Sequence, residues 1–233
     1  MSRRRSALLV RGGWEGHQPV ETSDAMGRFL ETEDFDVRIE DSPLVYSEPN
    51  YLASVDLVVQ TVTKSSIEKP ELEALRGAIA AGTGFAGWHG GIVDSYRNSA
   101  DYLQLVGGQF VAHPGVPSEQ RTGEQLDNYR EHSIDLTELG RTDPITAGVG
   151  DFTIDSEQYW VLADGYMDVL ATTTQPARAW DPWHEPIVSP AIWKRRWGQG
   201  RIFVSTPGHR LDILMQEPVK TITERGLLWA ART

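Results

Sequence analysis

The stretch Gly84-Phe85-Ala86-Gly87-Trp88-His89-Gly90-Gly91 decides the fold. It reads as a short strand of small and apolar residues running into a glycine-flanked turn with a histidine at its tip. Gly-x-His-x-Gly has the form of a nucleophile elbow, in which small neighbours let one side chain stand in a strained turn above a sheet. Such elbows carry serine or cysteine. Here the tip is His89 and the chain has no cysteine, so thiol chemistry is excluded.

Upstream of the elbow, strand and helix patterns alternate. Ser6-Ala7-Leu8-Leu9-Val10 reads as a buried strand, followed by a glycine-rich loop from Gly12 to Gly16. A helix is expected over about 22–33, carrying Met26, Phe29 and Leu30. Residues 36–40 alternate polar and apolar as a half-buried strand does, and 56–62 read as a second buried strand. Pro70 then opens a helix with Leu72, Leu75 and Ile79 on one face and Gly82 just past its end. Repeated strand–helix–strand spacing predicts an α/β protein with a parallel sheet flanked by helices. Such sheets bind ligands at the carboxyl ends of their strands. His89 and the loop holding Trp14 and His17 fall at such ends.

Downstream, Ser99 is placed to cap a short helix running to Val106, and strand-like pieces follow at 131–136, 152–154 and 167–172. A hairpin joins 191–196 to 201–205 through Trp197-Gly198-Gln199-Gly200, giving a hairpin-rich C-terminal half. A last helix is expected over about 217–231. With no repeats and no low-complexity linker, 1–233 reads as one domain. Gly82-x-Gly84-x-x-Gly87 matches a dinucleotide fingerprint only as a string, because it closes a helix and enters a strand instead of the reverse.

Acidic residues outnumber basic ones 33 to 22, for a net charge of −11. That opposes nucleic-acid binding, which depends on neutralising phosphates, and suits a neutral or cationic small molecule. The Ser2-Arg3-Arg4-Arg5-Ser6 start resembles a twin-arginine signal, but its apolar run stops at Arg11, and no segment is long enough to span a bilayer. The reading is a cytoplasmic protein with no membrane or nucleic-acid partner; a homo-oligomer stays open.

Five of six histidines lie in glycine- or proline-containing loops: His17, His89, His113, His184 and His209. Loops after strands are where functional groups gather. His89 and His209 each follow an apolar strand at a glycine turn and read as functional. His17 and His113 are further candidates, while His132 and His184 read as ordinary loop or surface residues. Glu157, in Asp155-Ser156-Glu157-Gln158-Tyr159-Trp160, is the candidate carboxylate, able to act as acid or base if burial moves its pKa toward neutrality. Tyr159 offers a pocket wall, and Trp14, Trp88 and Trp193 offer faces for a sugar ring. Imidazole and carboxylate ligands without thiolate suit zinc or manganese. No histidine pair has short ligand spacing, so the sequence assigns no metal residues.

Together these motifs resemble the ThuA-like (trehalose utilisation) family. The resemblance rests on Gly87-Trp88-His89-Gly90-Gly91, on the run from Tyr102 to Pro114, and on Asp143-Pro144-Ile145-Thr146-Ala147-Gly148 followed by Glu157-Gln158-Tyr159. It rests also on Pro190-Ala191-Ile192-Trp193, on Trp197 to Phe203, on Pro207-Gly208-His209 and on Gly226 to Ala230. It implies a flavodoxin-like, class I glutamine amidotransferase-like fold and a link to disaccharide and keto-sugar metabolism. Two departures matter: His89 stands where amidotransferases of this fold place cysteine, and Asp143 where the family often has histidine. The expected function is a carbohydrate-active enzyme, an isomerase or hydrolase. It would act on a sugar or keto-sugar with His89 and Glu157 in proton transfer, and with Trp14, His17, Trp88, His113, Tyr159 and His209 around the substrate. A non-catalytic sugar-binding or accessory protein is the alternative.

Overall fold

The computed structural model describes residues 3–114 and 128–232. Gly115, which ends the His113-Pro114-Gly115 motif, and Ser2 of the arginine-rich start lie outside the described residues. The first half winds as strand and helix in alternation: β1 (Arg5–Gly13), α1 (Pro19–Thr32), β2 (Phe35–Glu40), α2 (Pro49–Ser54), β3 (Leu57–Thr63), α3 (Lys69–Ala80) and β4 (Gly84–Trp88). Short helices α4 (Gly90–Val93) and α5 (Ala100–Val106) lead to β5 (Gly108–Ala112). Then come β6 (Tyr129–Leu136), β7 (Phe152–Glu157), β8 (Trp160–Ala163), β9 (Asp168–Gln175), the hairpin β10 (Ile187–Trp197) and β11 (Gly200–Ser205), and helices α6 (Leu211–Leu214) and α7 (Val219–Ala230).

Among the described residues the main sheet has nine strands in the order β2-β1-β3-β4-β11-β10-β9-β6-β7. Its first half is parallel, and β11 joins β4 in parallel, pairing Phe203 with Ala86. Beyond β11 every pairing is antiparallel, so the sheet is mixed. Consecutive residues of β1 divide between two cores, as the period of two requires. Leu8 and Val10 pack with Leu75, Ile79 and Leu105, whereas Ala7 and Leu9 pack with Met26, Leu30 and Ile222. A capping box between Glu68 and Glu71 starts α3, and Ser99 accepts from the Tyr102 amide to start α5. β5 and β8 form a separate antiparallel ribbon that the sequence reading did not include. Among the described residues no helix is long and apolar enough to cross a membrane.

Two aromatic rings expected to face substrate are core residues instead. Trp88 is 2% exposed and packs with the α1 and α7 side of the sheet, because the pleat of β4 turns it away from the strand ends. Trp193 is fully buried under α5, its indole N–H donating to the Val106 carbonyl at 3.1 Å. Neither can stack on a ligand.

Candidate metal centre at the strand ends

The carboxyl ends of β1, β4, β11 and β7 bring four buried groups together. His17 follows β1, His89 follows β4, His209 follows β11, and Glu157 closes β7. One ligand atom from each of the four lies within 4.8 Å of the other three. His89 holds its place through a backbone at φ 49° and ψ −146°, a region that costs a non-glycine residue about 1–3 kcal/mol. Its amide offsets part of that cost by donating to the Ser205 carbonyl at 2.7 Å. Gly90 has to lack a side chain: a Cβ there would stand 2.4 Å from the His17 ring and 3.1 Å from the Tyr159 hydroxyl.

The backbone fixes the protonation of His89. Its Nδ1 lies 2.7 Å from the Thr206 carbonyl, which can only accept, so Nδ1 carries the hydrogen and Nε2 presents a lone pair. Burial pushes the pKa of His89 down to about 3, so the ring is neutral at physiological pH. Three atoms crowd that lone pair: the Tyr159 hydroxyl at 2.6 Å, Glu157 Oε2 at 3.0 Å and His209 Nδ1 at 3.1 Å. Tyr159 stays protonated, because burial raises its pKa, and it donates.

Burial also pushes Glu157 up, but the imidazoles of His17 and His209 outweigh this and hold it below the usual carboxylate range. Glu157 is therefore an anion, not the near-neutral acid the sequence reading allowed. With no proton on His89 Nε2, its hydrogen bonds come from the other rings, chiefly His209 Nδ1 at 3.0 Å. A single hydrogen on His209 Nδ1 thus stands between two acceptor atoms, His89 Nε2 and Glu157 Oε2.

A divalent cation suits this position better than a proton does. Ligand atoms about 2.1 Å from a tetrahedral ion lie roughly 3.4 Å apart, and the separations here are 3.0, 3.0, 3.1 and, for His17 Nε2 to Glu157, 3.9 Å. The outer nitrogens of two rings are already held, His89 Nδ1 by Thr206 and His17 Nδ1 by the Thr63 hydroxyl at 2.9 Å. That is how ligating histidines are oriented. Three nitrogens and one carboxylate oxygen are the donors of zinc, manganese or iron.

Above the cluster lies a cavity of about 340 Å³. His113 lines it, one face toward Phe110, with Nε2 3.5 Å from Glu157 Oε1 and Nδ1 buried with no hydrogen-bond partner among the described residues. Burial lowers its pKa as well. Trp14 forms the mouth, 44% exposed, edge-on to His17 and with the Lys64 ammonium 4.4 Å from its ring centroid. Tyr159 forms one wall. Its segment is pinned by two buried amides, Gln158 donating to Thr173 at 2.7 Å and Gln175 to the Tyr159 carbonyl at 2.8 Å. His132 bonds its own strand at the Arg130 carbonyl and His184 is exposed; neither belongs to the cluster. The sequence reading missed Lys64, Phe110, Thr63 and Thr206. Only the position of Thr63 and Lys64 after a buried strand could have signalled them.

The family model "ThuA: Trehalose utilisation" matches residues 6–230, and the chain belongs to that family. No protein of curated function matches it in sequence. Among solved structures it is similar to a putative ThuA-like protein from Bacteroides uniformis ATCC 8492, at 16% identity and a TM-score of 0.70 over 98% of this chain and 92% of that one. A putative ThuA-like protein from Parabacteroides merdae ATCC 43184 gives 15% identity and a TM-score of 0.71, over 98% and 90%. A β-galactosidase from Bacillus circulans shares the fold over 97% of this chain but only 30% of its own, at 11% identity and a TM-score of 0.54. At these identities the likeness is one of fold.

Proposed function

We propose that this protein is a carbohydrate-active enzyme that transfers a proton next to the carbonyl of a sugar or keto-sugar, assisted by a divalent metal. The observation that carries the reading is the convergence of His17, His89, Glu157 and His209 beneath a cavity whose mouth is an exposed indole. Membership of the trehalose utilisation family points to the substrate class, and the absence of cysteine removes glutamine amidotransfer by a thiol. The order β2-β1-β3-β4 followed by β11 supports the flavodoxin-like reading that the class I amidotransferase resemblance carries.

When bound, the cation would polarise a carbonyl oxygen or acidify a water. The chain's own residues supply the rest. Trp14 offers an apolar face to a sugar ring at the entrance. His113 is the proton carrier: it faces the cavity, stands outside the four-residue cluster, and is neutral at physiological pH because burial lowers its pKa. Tyr159, kept protonated, can donate to an oxygen on which charge develops. His89 and Glu157 thereby change from proton-transfer groups to ligands.

The reading is tested by incubating zinc- or manganese-loaded protein with a panel of keto-sugars in D2O and following deuterium uptake at the carbon beside the carbonyl by NMR. His113→Gln should lower kcat by about 10²–10⁴-fold with metal content and KM little changed. Sugars that bind and are recovered undeuterated and intact would replace the enzyme with a non-catalytic sugar-binding protein.

A further inference from the structure

A second cavity, of about 380 Å³, opens at the other end of the sheet. Its walls come from the turn after α3 and before β4, from the β10–β11 hairpin, and from the chain just beyond α7. Three arginines line it, Arg196, Arg201 and Arg232, together with Gln199 and Gly82, and among the described residues no carboxylate does. Among the described residues none of the three makes an ion pair, in a chain whose acidic residues exceed its basic ones by 11. Burial and the charge of Arg196 both push the pKa of Arg201 down, the mark of like charges held close without a counter-charge.

Capping accounts for part of this. Arg201 donates to the Ala231 carbonyl at the end of α7, and Arg232 donates to the Ala53 carbonyl at 3.1 Å and the Thr83 hydroxyl at 2.7 Å. Cations at helix C-termini are ordinary. Capping does not account for the remaining donors. Among the described residues Arg232 Nε is buried with no hydrogen-bond partner, beside the space that a Cβ on Gly82 would enter. Arg196 makes no hydrogen bond or ion pair among the described residues.

From this geometry we propose that the pocket is a binding site for a phosphate group, as inorganic phosphate or as the phosphomonoester of a small molecule. Several guanidinium forks converging on one cavity match the oxygens of a dianion better than the two of a carboxylate. The site lies away from the histidine cluster and does not depend on the chemistry proposed there.

Calorimetric titration at constant ionic strength tests this, with inorganic phosphate, glycerol phosphate and acetate as probes and chloride as the blank. Saturable binding of phosphate or its monoester is expected, with acetate weaker. Arg196→Gln should weaken it at least tenfold, and this variant loses no hydrogen bond of the fold. Arg232→Lys, which keeps the charge but not the fork, should weaken it too, while His209→Ala should leave it intact. Binding of the ester alone would identify a phosphorylated metabolite, and equal binding of both would identify the phosphate itself. No saturable signal above chloride, or an affinity unchanged in Arg196→Gln, would overturn the proposal.

Discussion

Thr63 and Thr206 decide what the cluster can do, although neither points into the cavity. The Thr206 carbonyl forces the hydrogen of His89 onto Nδ1, and the Thr63 hydroxyl fixes the His17 ring at 2.9 Å. Groups in this position typically change metal affinity by 10–100-fold. Thr63→Val keeps the shape of the side chain but removes the hydroxyl. It should weaken zinc binding by about that factor in a chelator-competition titration, with the circular dichroism spectrum unchanged. Undiminished affinity would mean that His17 does not ligate. None of this was legible in the sequence. His89 lies 68 residues from Glu157 and 120 from His209, so no local spacing marks them as a set. What could be read was the type of place each occupies, a loop after an apolar strand.

Among the elements, β3 shows both the reach and the limit of pattern. Its apolar run announced a buried parallel strand, and the glycine, proline and serine signals around α3 and α5 placed those helices. Buried inside β3, however, is Gln60. Its carbonyl accepts from Tyr46 at 3.0 Å and Tyr96 at 3.3 Å, and its amide donates to Tyr102 at 2.6 Å and Ser95 at 3.0 Å. This network ties α5 and the loop after α4 to the strand beneath the histidine cluster. Gln60→Leu leaves two buried hydroxyls without an acceptor, at about 1–3 kcal/mol each, so a clear fall in Tm is expected. The ribbon of β5 and β8 escaped the sequence because a two-stranded pair of four or five residues has no period long enough to read. Trp88 escaped for a different reason: its strand was read correctly, but which side of the pleat faces the cavity is a tertiary matter.

For the whole molecule, buried histidines make the metal-free protein acid-sensitive. His17, His89 and His113 all have pKa values lowered by burial, His89 to about 3. The unfolded chain takes up these protons near pH 6.5, the folded chain at lower pH. Stability is therefore full above about pH 6.5 and falls as pH drops, by roughly 1.4 kcal/mol per pH unit for each proton. Glu157, also lowered, adds a loss in the same direction once pH passes below the ordinary carboxylate range. Denaturant midpoints measured from pH 7 to pH 4 should decline steadily, and a flat profile would show that the rings are not held neutral. Whether the cluster holds a metal is answered by elemental analysis of protein purified without an affinity tag. About one equivalent of a divalent transition metal per chain is expected, from the four-ligand cluster, retained in His113→Gln and lost in folded Glu157→Gln and His209→Ala variants. Wild-type protein that holds no such metal, even after incubation with zinc, manganese or iron, would contradict it.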